Sequence, residues 1–177
     1  MMSIESFSTL VKNHSASQQV TLARNEYLIE AGATEKNIYY VLSGTLRVFM
    51  TDESEEHTIR FAYPATLFMA LDSFLSGKPT RYSIQAIKRC QLLALPMAVF
   101  HEILDNDTTY RALYQTVLEQ FVLQQMEREE DLLTSSPAER YRRVIKRSPH
   151  LFQEVPNKYI ASYLRMTPET LSRLKKS

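Results

Sequence analysis

The chain has 177 residues, 44% of them hydrophobic, which suffices for one ordinary domain or two small ones around a real core. Lys and Arg number 21 against 20 Asp and Glu, and the single cysteine, Cys90, excludes an internal disulfide, an iron-sulfur cluster and a cysteine-rich zinc site. No apolar run reaches the roughly 18 residues that span a bilayer, and Met1-Met2-Ser3-Ile4-Glu5 lacks a leader pattern, so a cytoplasmic protein with no membrane partner is expected.

In chain order, a short helix is predicted from Ser3 to about Asn13. Between about Gln18 and Pro96 the pattern changes to short β-branched or aromatic runs separated by turn residues: 19–22, 27–29, 38–42, 45–50, 58–61, 82–87 and 91–95. This spacing predicts a β-sandwich or barrel-like roll. Gly32, Gly44 and Gly77 all fall between these strands, where positive φ is expected. A brief helical turn is predicted over Phe68–Leu75.

Beyond Pro96 the period becomes helical. Met97–Leu104 forms a short helix, and Asp107-Thr108-Thr109 caps a much longer one through about Leu133. Its apolar positions cover more than one face, which calls for a second covering partner besides its own roll. The same helix of a second subunit is the economical choice, with Tyr110, Tyr114, Val117 and Phe121 in the seam of a homodimer. A helix buried within a monomer is the alternative. Thr134-Ser135-Ser136-Pro137 reads as a hinge.

Charge is unevenly divided. From Pro137 to Ser177 there are 10 basic residues and 3 acidic ones, +7, whereas the first 136 residues hold 11 basic and 17 acidic, −6. Such a basic end on an acidic body suggests a polyanion partner, against the reading of a merely solvated basic face. Within it, 155–164 and 168–176 form a helix, a turn and a second helix. Thr167 suits the N-cap and Pro168 the first helical position. Ile160, Ala161 and Leu164 can pack on Leu171 and Leu174, leaving Glu169, Ser172, Arg173 and Lys176 on the other face. That face offers donors and acceptors for base edges and cations for phosphate.

With these elements the sequence resembles the cyclic-AMP receptor protein and FNR superfamily of bacterial transcription regulators, especially its short-tailed branch. The resemblance covers nearly the whole chain. It is carried by Val41-Leu42-Ser43-Gly44-Thr45-Leu46-Arg47-Val48 in the roll, by Tyr159-Ile160-Ala161-Ser162-Tyr163-Leu164, and by Thr167-Pro168-Glu169-Thr170-Leu171-Ser172-Arg173. It implies an α+β chain with a double-stranded, cyclic-nucleotide-binding-like β-roll in 1–106, a dimerisation helix in 107–134 and a helix-turn-helix DNA-binding domain in 135–177. It also implies a homodimeric regulator of double-stranded DNA. The expected DNA-binding residues are Lys158, Arg165, Thr167, Glu169, Thr170, Ser172, Arg173, Lys175 and Lys176.

Three departures from the family pattern stand out. Nucleotide-binding members carry a Gly-Glu pair for the ribose where this chain has Met69-Ala70, so a response to cyclic AMP is not expected. Arg81, beside Tyr82, could still face a phosphate, or be a solvated loop arginine. Met69, Ala70, Arg81 and Tyr82 are therefore the candidate effector residues, for an apolar or aromatic effector or none. Arg165 stands at the helix-turn-helix turn where Gly is usual, implying a strained positive φ. The β-wing of longer members is not expected after Ser177.

Other chemistries lack their residues. His14, His57, His101 and His150 are scattered, with no cupin-type metal cluster, nucleophile elbow or Gly-rich phosphate loop, so no catalytic residue, metal or cofactor is expected. Cys90 reads as an inert buried thiol. The competing function is a protein-interaction or ligand-sensing module that does not bind DNA.

Overall fold

The computed structural model describes residues 4–176. Helix α1 (Ile4–Asn13) buries Phe7 and Val11, four apart on one face; its predicted start at Ser3 lies outside the described residues. The strands follow as β1 (Gln18–Leu22), β2 (Tyr27–Ile29), β3 (Asn37–Ser43), β4 (Leu46–Asp52), β5 (Glu55–Ala62) and β6 (Leu67–Phe68). Helix α2 (Leu71–Ser76) separates these from β7 (Ser83–Ala86) and β8 (Cys90–Pro96). They form two antiparallel four-stranded sheets, β1-β8-β3-β6 and β2-β7-β4-β5. Leu22, Val41, Leu46, Ile84 and Leu92 fill the space between the sheets.

Gly44 shows why the chain spends a glycine between β3 and β4. Its φ is +89°, and a Cβ there would lie 2.3 Å from the Arg89 carbonyl oxygen and 2.6 Å from Cys90 Sγ. The turn runs directly over the start of β8, where Cys90 is fully buried and burial pushes its thiol pKa up. The predicted helical turn over Phe68–Leu75 is shorter than expected. Phe68 instead pairs with Tyr39 as the end of β6, and α2 begins only at Leu71.

Helix α3 (Met97–Asn106) leads into the 26-residue α4 (Thr108–Leu133). The Asp107 carboxylate caps α4, accepting from the N–H groups of Thr109 at 2.8 Å and Tyr110 at 3.3 Å. The residues of the expected intersubunit seam also meet the chain itself. Tyr110, Tyr114 and Val117 pack on the chain's own second core, which includes Phe7, Ile38, Leu95, Phe100 and Leu113, and the Arg60 guanidinium lies 5.4 Å above the Phe121 ring. The aromatics of α1 and α3 cover part of this side of α4, and Tyr110, Tyr114, Val117 and Phe121 stay partly exposed. The large apolar residues that α4 leaves exposed lie further on: Val122, Leu123, Met126, Leu132 and Leu133.

The remainder is helical: α5 (Pro137–Arg147), α6 (Leu151–Glu154), α7 (Asn157–Tyr163) and α8 (Pro168–Leu174). Ser136 caps α5 by accepting from the Glu139 N–H at 3.3 Å, with Pro137 at the first turn. A third core of Val144, Leu151, Val155, Ile160, Leu164 and Leu171 joins these helices. Leu174, expected in that packing, is half-exposed and outside this core.

Candidate nucleic-acid interface and the adjoining cavity

The start of α8 is built by Thr167, whose extended backbone places Oγ1 to accept from the Thr170 N–H at 3.2 Å. Thr167 and Thr170 are thereby committed to the cap, their hydroxyls 3.1 Å apart. Arg165 adopts φ +54°, a left-handed conformation that costs a side-chain-bearing residue about 1 kcal/mol. The turn is held from both sides. The Arg165 carbonyl accepts from Arg140 Nη2 at 3.1 Å, and its guanidinium lies 3.0 Å from His57 Nδ1.

Glu169, Ser172, Arg173 and Lys176 share the exposed side of α8. The Glu169 carboxyl is held below its ordinary range by its own backbone N–H and by Thr167, with a further contribution from Arg173. Lys158, on α7, is exposed above the Tyr159 ring, and Lys175 Nζ donates to Asn157 Oδ1 at 2.8 Å.

Several arginines of the basic end serve the fold instead. Asp131, at the end of α4, is fully buried; Arg143 Nε donates to it at 3.0 Å and Arg147 pairs with its other oxygen. Asp131 and then Glu130 raise the Arg143 pKa. Arg140 is a hub: Nε donates to the Leu164 carbonyl at 2.9 Å, and Nη1 to the carbonyls of Thr134 and Ser135. The expected hinge is thus tied to the α7–α8 turn. Net charge cannot show this, because a cation in an internal pair counts like one facing solvent. The usable signal was local: Arg143 and Arg147 lie four apart, and Ser136-Pro137-Ala138-Glu139 has the residue spacing of a capping box.

Helix α7 docks on β5. Ser162 Oγ accepts from the Thr58 N–H at 3.0 Å and donates to the Glu56 carbonyl at 3.2 Å. Arg47, only 4% exposed, is sandwiched between the rings of Phe49 at 4.0 Å and Tyr159 at 4.4 Å. It donates to Gln85 Oε1 and pairs with Glu56 at 2.5 Å.

The segment carrying the expected effector residues is closed on itself. Asp72 accepts from Thr80 Oγ1 at 2.7 Å and from the Arg81 N–H at 3.0 Å. Glu35, 1% exposed, accepts from the N–H groups of Ala70 at 3.1 Å, Lys36 at 2.8 Å and Asn37 at 3.0 Å. Burial, then the Glu35 charge, pushes the nearby Tyr39 hydroxyl up to about 12. Arg81 is exposed, Tyr82 partly so, and Ala70 is buried. Neither Arg81 nor Tyr82 lines the large cavity beside this segment; Met69 does. That cavity, of about 650 Å³, is walled by β5, β6 and α4 and reaches Leu151 and Tyr163 of the C-terminal helices. Its cations are Arg60, Arg128 and Arg147, none of them singled out as effector residues in the sequence.

Residues 19–107, just over half of the chain, match the sequence profile of the cyclic nucleotide-binding domain. The chain belongs to that family. No curated protein sequence matches it. Among solved structures it is similar to FixK2 from Bradyrhizobium japonicum, with TM-score 0.76 and 16% identity over 90% of this chain and 83% of that one. A CooA mutant from Carboxydothermus hydrogenoformans gives 0.68 and 17% over 99% and 83%, and the Thermus thermophilus catabolite activator protein 0.59 and 21% over 99% and 83%. At such identities the likeness is one of fold: a cyclic-nucleotide-binding-like roll followed by a long helix and further helices, the arrangement of the CRP/FNR regulators. Among the described residues, no helix is long and apolar enough to cross a membrane.

Proposed function

We propose that the protein is a DNA-binding transcription regulator of the CRP/FNR type, acting as a homodimer and unresponsive to cyclic AMP. The exposed face of α8, with Glu169, Ser172, Arg173 and Lys176 presented from a capped start, carries the reading. In it, residues 135–177 form the DNA-binding unit, 107–134 the dimerisation helix and 1–106 the effector-type roll. Arg173 hydrogen-bonds guanine and Glu169 accepts from cytosine in the major groove of double-stranded DNA. The second copy covers the apolar face that α4 leaves exposed, Val122, Leu123 and Met126 among its residues, and presents two copies of α8 to half-sites one helical turn apart.

Cyclic AMP is disfavoured for two reasons. Ala70 supplies no carboxylate for a ribose hydroxyl, and the N–H of Arg81 is already taken by the Asp72 carboxylate, which repels a phosphate. A dissociation constant of a few micromolar for cyclic AMP or cyclic GMP by calorimetry overturns that part.

A gel-shift titration against genomic fragments at two salt concentrations tests the rest. Fragment-selective retention that weakens with salt supports it; no retention even at low salt overturns it. The reading then becomes a protein-interaction or ligand-sensing module, which is favoured by the docking of α7 on β5 through Ser162, Arg47 and Arg165.

A further inference from the structure

The cavity between the roll, α4 and the C-terminal helices has a composition that specifies its occupant. Phe61, Phe68, Phe74, Phe100 and Phe121 stand among the mainly apolar residues of its walls. Of its cations, Arg147 is satisfied by Asp131 and Glu127. Among the described residues the other two form no ion pair. Among the described residues no carboxylate lies within ion-pair distance of Arg60, which faces the Phe121 ring, and burial lowers its pKa. Arg128 is 9% exposed and rests on the Tyr163 ring at 3.7 Å, with Nη2 on the Tyr163 carbonyl. Among the described residues its buried Nη1 has no hydrogen-bond partner.

The one carboxylate lining the cavity among the described residues, Glu127, pairs with Arg147, so two guanidiniums are held in a mainly apolar cavity without an ion pair, which is unfavourable in itself. An anion in the cavity relieves that cost, and an apolar body attached to it covers the rings. We propose that this cavity binds an organic monoanion, a carboxylate on an aliphatic or aromatic frame, seated on Arg60 and Arg128. A small inorganic anion would leave the walls uncovered. A nucleotide would bring ribose hydroxyls to a wall that at Met69 offers only apolar contact. Because Tyr163 immediately precedes the turn into α8 and also supports Arg128, the occupant touches the region that sets the position of α8.

As an effector site the cavity rests on the regulator reading, but binding is measured on the full chain without DNA, so each can fail without the other. The probes are decanoate and 4-phenylbutyrate, with decanol as the uncharged comparator, followed by calorimetry. At least one acid binds at one per chain, and decanol binds at least tenfold more weakly. Arg60→Leu, which removes the cation, weakens the acid at least tenfold and leaves decanol unchanged. A thermal melt confirms that the variant folds; if it does not, Arg60→Gln takes its place with the same expectation. The proposal is overturned if neither acid binds below 1 mM, if decanol binds as well as the acids, or if the folded variant keeps wild-type affinity.

Discussion

Asp131→Asn tests whether the join between α4 and α5 is held by a buried charge cluster. The substitution keeps the shape and removes the charge that Arg143 and Arg147 share, with Asp131 itself 0% exposed. Breaking a fully buried pair from one side costs about 3–5 kcal/mol, because the remaining charge is left uncompensated. Here the arginine side chains are 34% and 28% exposed, so water recovers part of that, and about 2–3 kcal/mol is expected. With a urea slope near 2 kcal/mol per molar, the unfolding midpoint falls by about 1–1.5 M. Circular dichroism and tyrosine fluorescence should report the same transition, and Arg142→Ala, which removes an exposed pair with Glu139, serves as control and costs less than about 1 kcal/mol. A loss below about 0.5 kcal/mol for Asp131→Asn, or one equal to the control, refutes the reasoning.

Gly44→Ala should prevent the roll from folding, because the new Cβ meets backbone at 2.3 Å, whereas Gly77→Ala, at φ +68° in open space, costs only about 1–2 kcal/mol; thermal melts of the two separate space from backbone strain. Met126→Glu should shift the protein to monomer in sedimentation with its melting temperature nearly unchanged, while Val117→Glu should destabilise the monomer itself; the reverse pattern would place the seam at Val117. Arg173→Ala should cost about 1–3 kcal/mol at a specific site and relax one base pair per half-site, as read by selection from random DNA. Uniformly weaker binding with base preference retained would make Arg173 a phosphate contact.

What the sequence shows of this fold depends on how local the signal is. Alternation and turn residues reveal most of the strands, and the Thr167-Pro168 start of α8 stands in the structure as its residues suggest. The two-residue β6 has too little length to show a period; it exists because Phe68 meets Tyr39, a partner 29 positions earlier. The wide apolar girth of α4 is visible, but not what covers it. Phe7, 103 residues before Tyr110, packs ring against ring with it at 5.7 Å, a pairing no helical period could reveal. The cavity cations were hidden for a similar reason. Arg60 in an alternating strand looks like any solvent-facing residue, and only the approach of α4 encloses it.

The same distinction limits how strongly the basic end can act on DNA. Of its ten basic residues, Arg140, Arg143 and Arg147 are committed to carbonyls and to Asp131 and displace no counterions. The other seven, Arg142, Lys146, Lys158, Arg165, Arg173, Lys175 and Lys176, are exposed, giving at most seven per chain and fourteen in a dimer. At about 0.9 ions per neutralised phosphate, the logarithm of affinity should fall with the logarithm of salt at a slope no steeper than about −13. Adding the three internal arginines of each chain would make it near −18. A titration of one operator fragment across several salt concentrations distinguishes these values. A slope steeper than about −15 would mean that DNA draws the internal arginines out of their pairs, and the α4–α5 join would then open on binding instead of bracing the helices that bind.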